Sequence, residues 1–223
     1  MRFRLYYEGE LKATQRDPRD GEINRVAQHK QTIRRAFHRQ LRQLWNTNRF
    51  LREYKRNPDA DIAERPAGDA GAYFDHEPDT KIPLSQYLAQ RYQKFGYRFV
   101  PLVRDEISLL CSLHVLFLRR DTPGSIIQAG DIDNRIKTLI DALRAPNSPN
   151  ELVGNDTNPG SDDDPFYCLL WNDNQVSRLS VETDTLLDQP TSGDADARKV
   201  RLIITVDLQP YDVTLFNLSF AGA

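Results

Sequence analysis

The segment Ile107 to Arg120, ISLLCSLHVLFLRR, is almost continuously apolar and too short to cross a bilayer. Such a run predicts a central strand covered on both faces and excludes an edge position. Alternating patterns supply its companions. Phe3, Leu5 and Tyr7 share one side of a strand at 2–8, Tyr97 to Val103 leads into the central run, and two closing strands are expected at 175–185 and 199–209. The strongest helical signal lies at 23–56, where Ile23, Val26, Ile33, Phe37, Leu41, Leu44, Trp45 and Leu51 recur at threes and fours. A short helix at 84–95, stopped by Gly96, and another over DIDNRIKTLIDALR, 131–144, complete the list. The expected class is α+β: a mixed β-sheet with helices packed on it, enlarged by a long N-terminal helix and loop insertions. Residues 1–209 read as one domain with insertions at 57–81 and 145–165, followed by a tail at 210–223 that the sequence does not assign to a packing partner.

At 223 residues the chain can bury a substantial core without staples, and its two cysteines suggest neither a disulfide framework nor a zinc site. Cys111, inside the apolar run, reads as core. The start, MRFRLYYEGEL, is charged where a signal peptide would be apolar, and no stretch approaches the length of a membrane helix. A cytoplasmic protein without membrane association is expected. The net charge of −2 conceals segregation. Between Glu22 and Arg56 ten basic residues stand against two acidic ones, whereas GNDTNPGSDDDP at 154–165 is densely acidic. A basic helix is commonly just a solvated face, but its charge also suits phosphate. The triplet Asp162–Asp164 reads as a solvated loop rather than a calcium site, and His114 as a satisfied core histidine.

The segment GDIDNRIKTLIDAL concentrates ionisable groups on one helix. At 100° per residue, Asp133, Lys137 and Asp141 fall within about 80° of one another, beside a stripe formed by Ile132, Ile136, Leu139, Ile140 and Leu143. Packing that stripe on a sheet would hold the polar edge at the core boundary. Asp131 stands at the helix entrance. Taken singly these residues have ordinary roles as caps or as pairs four apart. A second carboxylate, Asp173 in WNDNQV, precedes a predicted strand, and a hard cation needs oxygen ligands gathered from separate elements.

The pattern D-x-D-N-x-x-K-x-x-x-D-A-L on a helix, followed by D-x-Q-V opening a strand, resembles the signature of the RusA family of Holliday-junction resolvases. The order of strand, helix, strand, motif helix and two closing strands is also similar, so the resemblance implies a RusA-like mixed sheet. It covers about half the chain, with its specific part at Asp131–Leu143 and Trp171–Val176. The resemblance implies that Asp131, Asp133 and Asp173 bind Mg²⁺, with Mn²⁺ as an alternative, and that Lys137 is the basic residue beside them. Asp141 and Asn134 would support those ligands. It further implies a homodimer acting on a four-way DNA junction. The chain departs from the family at Asn172, where a second acid is common, and in its two insertions.

On this reading Arg34, Arg35, Arg39, Arg42 and Arg49 contact DNA phosphates, while Phe37 and Trp45 belong to the core. The rival from another class is a nonenzymatic DNA-binding or assembly module on the same fold, motivated by Asn172 and the insertions. A third reading is a nuclease for other branched nucleic acid.

Overall fold

A computed structural model describes residues 1–13, 20–58, 81–120, 132–153, 158–187, 199–214 and 217–221. The flexible connection expected at 57–81 falls almost wholly outside these residues. In chain order the first elements are β1 (Arg2–Glu10), α1 (Asp20–Thr47), α2 (Arg49–Glu53) and β2 (Lys55–Arg56). Next come β3 (Ile82–Pro83), α3 (Leu84–Arg91), β4 (Gln93–Lys94), β5 (Tyr97–Val103) and β6 (Leu109–Arg119). The last are α4 (Ile132–Leu143), β7 (Phe166–Leu170), β8 (Val176–Thr185) and β9 (Lys199–Pro210). The class is α+β, with mixed sheets and helices packed on them.

The main sheet runs β1-β9-β6-β8: β9 is antiparallel to both β1 and β6, and β8 is parallel to β6. The apolar run thus forms an interior strand, but its burial alternates. Leu109, Cys111, Leu113, Val115 and Phe117 are buried, whereas Leu110 and His114 are exposed. The expectation of cover on both faces is therefore corrected: apolar residues on the second face are left half open. His114 is not a core histidine, since it lies at the surface with Nε2 3.7 Å from Glu182.

A smaller sheet, β4-β5-β7, pairs β5 in parallel with β7. All five residues of β7 are buried, which suits a parallel strand covered on both sides. The short helix expected to reach residue 95 ends at Arg91, because Phe95 and Gly96 take left-handed backbone, φ 54° and 79°, and turn the chain from β4 into β5.

α1 lies against β1, β7 and α4. Its apolar stripe of Ile33, Phe37, Leu41 and Trp45 is buried at the spacing read from sequence, with Phe37 beside Tyr7 and Trp45 beside Tyr167. The helical segment does not continue to residue 56. Asn48 interrupts it: its side chain accepts the Leu51 N–H at 3.1 Å and starts α2, after which Lys55–Arg56 pairs with β3. The tail returns to the core, with Phe220 buried edge-on against Phe50. Among the described residues no helix is long and apolar enough to cross a membrane.

Candidate active site

α4 is held by its apolar side and presents its polar edge to an open cleft. Ile136, Leu139, Ala142 and Leu143 are buried, while Asp133 and Lys137 are exposed. Across the cleft stands β8, preceded by the turn that carries Asp173. The cleft measures about 690 Å³. Its polar lining is Asp133, Lys137 and Asp141 from α4 with Asp173 and Asn174 from the turn; its apolar lining is Ile132, Ile136 and Ile140 facing Val176, Leu179 and Val181. Asp131 lies outside the described residues. Asn134 is half-buried, and its main-chain carbonyl accepts the Thr138 hydroxyl at 3.0 Å.

The Asp173 turn is braced by a residue to which the sequence reading gave no role. Gln175 is buried; its Oε1 accepts the N–H groups of Trp171 and Asn172 at 3.0 and 3.2 Å, and its Nε2 donates to Asp105 at 3.0 Å. The side chain ties the turn to the segment joining β5 and β6, leaving Asp173 exposed on the cleft side. The glutamine of D-x-Q-V was visible in the sequence, but its partner Asp105 lies 70 positions away.

Asp141 has a different environment. It is only 6% exposed, and its carboxylate accepts from Lys30 Nζ at 2.6 Å and from Arg144 Nη2 at 2.7 Å. Arg144 also reaches Glu151, and Arg34 joins Glu151 at 2.6 Å and the Asp141 main-chain carbonyl at 3.0 Å. Burial pushes the Asp141 carboxyl upward, but hydrogen bonds and charge from Lys30 and Arg144 outweigh it and hold the group below the usual carboxylate range. Its charge is thus neutralised by the protein.

The same contacts correct the reading of the basic helix. Arg34 is 2% exposed and committed to Glu151, so it cannot meet a phosphate. Arg35 pairs with Asp163 at 2.7 Å, and His38 donates from Nε2 to the Asp162 carbonyl at 3.0 Å while Nδ1 accepts the Tyr167 N–H at 2.8 Å. Burial, opposed by the Asp162 carbonyl, lowers the His38 pKa. Asp164 holds Arg98 through two hydrogen bonds. The described part of the 145–165 segment is consequently an anchor for α1, and the Asp162–Asp164 triplet is not simply solvated. Arg39 and Arg42 remain exposed; Arg49 is exposed and paired with Glu53.

Neither Asp133, Asp173 nor Lys137 forms an ion pair with a described residue. Among the described residues no group of three or more His, Cys, Asp and Glu could hold a metal. Two carboxylates on one open cleft do suit a hard divalent cation, which takes one or two carboxylates and completes its shell with water or phosphate oxygens. Comparison of the chain with protein-family models, curated proteins and solved structures gives no significant match.

Proposed function

We propose that the chain is a metal-dependent, structure-selective DNA endonuclease of the RusA type that resolves four-way junctions as a homodimer. The observation that supports this reading is the meeting of Asp133 and Lys137 from α4 with Asp173 from a separate turn on one cleft, neither carboxylate forming an ion pair with a described residue. Asp133 and Asp173, together with Asp131 immediately ahead of α4, are the residues that would hold Mg²⁺ or Mn²⁺. When held by these residues, such an ion would supply Lewis-acid chemistry toward the phosphate and its attacking water.

The protein's own groups do the rest. Lys137, one helical turn from Asp133, offers a positive charge to the phosphate oxygens as negative charge develops on them. Gln175 fixes the turn that presents Asp173. Asp141, already saturated by Lys30 and Arg144, anchors α4 and takes no part as a ligand. Arg39, Arg42 and Arg49 supply exposed charge for the DNA backbone, with Arg35 available only by release from Asp163. Matched cuts on two strands of like polarity require two centres related by two-fold symmetry, which a homodimer provides.

Cleavage of a labelled four-way junction by wild type and Asp133→Asn, with Mg²⁺, Mn²⁺ or EDTA, tests the reading. Symmetric nicking that needs metal and is lost in the variant is expected. Tight binding without cutting would replace the enzyme by a DNA-binding module, and metal-dependent cutting of other structures alone would keep the site and discard the substrate.

A further inference from the structure

The main sheet is finished differently at its two sides. At β1, Gln40 of α1 closes the outer edge: Oε1 accepts the Tyr6 N–H at 2.8 Å and Nε2 donates to the Tyr6 carbonyl at 2.7 Å. The carboxamide makes the two hydrogen bonds that another strand would make there. At the opposite side, β8 pairs with β6 alone among the described residues. β8 is ten residues long, contains no Pro or Gly, and leaves most of its side chains exposed, Leu179 by 42%. Its one irregularity is at the start, where the register with β6 shifts between Cys111 and Ser112. A long edge without Pro or Gly is a template for another strand whose charges complement its own.

We propose that β8 is the interface for a second copy of this chain, the two β8 strands pairing antiparallel about a two-fold axis at Ser180. The charge pattern selects both the partner and the register. Residues equidistant from Ser180 then face each other, so Arg178 meets Glu182 of the partner subunit and Glu182 meets the partner's Arg178. On the other face Leu179 meets the partner's Val181, and Ser177 meets the partner's Thr183. Opposite charges and paired aliphatic groups both stabilise directly opposed positions.

Neighbouring registers lose this agreement. Centring on Leu179 sets Arg178 against the partner's Ser180 and Glu182 against the partner's Val176. Centring on Val181 keeps a reciprocal charge match, Arg178 with the partner's Asp184, and sets Val181 against its own copy, but it leaves Leu179 opposite the partner's Thr183 and Glu182 opposite the partner's Ser180. Of the three axes, only that at Ser180 opposes Arg178 to Glu182 and at the same time sets both Leu179 and Val181 against aliphatic side chains. Pairing of this kind keeps equivalent residues on one face of the joined sheet. Since Leu179 and Val181 line the cleft, two clefts would open side by side on that face. The interface does not depend on whether either cleft cuts DNA.

Sedimentation of the full chain at micromolar concentration, with circular dichroism to verify folding, tests the interface. Wild type is expected to be a dimer. Arg178→Glu and Glu182→Arg each place like charges opposite one another at two positions and should weaken it about tenfold or more, whereas the double exchange should restore it. Ser180→Cys should form an interchain disulfide on oxidation, because directly opposed residues lie about 4.5–5.5 Å apart between Cα atoms. Ser177→Cys should not, since the two copies of that position would be separated by six residues along the strands. Cys111 and Cys168 are buried and should not compete. A monomeric wild type, a dimer indifferent to Arg178→Glu, a double exchange that fails to recover, or equal cross-linking at residues 177 and 180 would overturn the proposal.

Discussion

The two ends of α4 carry the same functional group in opposite circumstances. Asp141, in the last turn, is buried between Lys30 and Arg144; Asp133, in the first turn, faces an open cleft without an ion-pair partner among the described residues. A buried carboxylate is tolerated when cations and hydrogen bonds replace its water, and such a group then has little capacity left for a ligand. An exposed, unpaired carboxylate near a second one retains that capacity. Burial and pairing therefore divide helix α4 into an anchoring end and an end able to bind.

The sharpest way to break this comparison is at the anchoring end. Asp141→Ala leaves Lys30 and Arg144 buried without their shared anion and should cost about 3–5 kcal/mol in urea unfolding, the usual consequence of removing one member of a buried pair. A loss under 1 kcal/mol would mean that the network contributes little to stability. At the other end, Asp133→Asn should leave stability within about 0.5 kcal/mol while lowering metal-dependent cleavage by roughly 100-fold or more. An equal loss of stability at both ends would erase the distinction.

Gln175→Ala stands between the two extremes. It leaves the Trp171 and Asn172 N–H groups and Asp105 without their partner and should destabilise by about 1–3 kcal/mol. If Gln175 positions Asp173, the apparent metal requirement should rise as well; an unchanged metal titration would reduce it to a structural brace. The smallest effect concerns pH. The folded Asp141 carboxyl is held below its unfolded value of about 3.9, so its contribution is complete above that pH and is lost as pH falls through the folded value. The stability gap between wild type and Asp141→Asn should consequently be constant from pH 7 to 5 and narrow in stronger acid. A gap that narrows already at pH 6 would point to another group whose pKa the substitution changes.

Local periodicity made much of the framework legible. Alternation located β8 and β9 to within a residue or two, the 3.6-residue stripe located α1 and α4, and the apolar run marked β6 as an interior strand. Periodicity could not place β7, a five-residue buried strand after a polar loop, because a short apolar run has no period to read. Nor could it split the first helix, where one side-chain cap at Asn48 outweighs continued helical spacing. At the candidate site, the placement of Asp133, Lys137 and Asp141 on one helix edge followed from 100° per residue, and all three line the cleft with Asp173.

By itself the sequence determined which residues share a helix edge or a strand face, since that depends on backbone geometry over a few neighbouring positions. Only tertiary structure decided which charges would be neutralised. Lys30 and Asp141 are 111 positions apart, Arg34 meets a glutamate from the 145–165 segment, and His38 is buried while His114 is exposed. A charge is indifferent to sequence distance and sensitive to its surroundings in space. The same chemical group became a buried anchor at Asp141 and an open carboxylate at Asp133 because the fold brought Lys30 and Arg144 to the first and left the second facing the cleft without an ion-pair partner among the described residues.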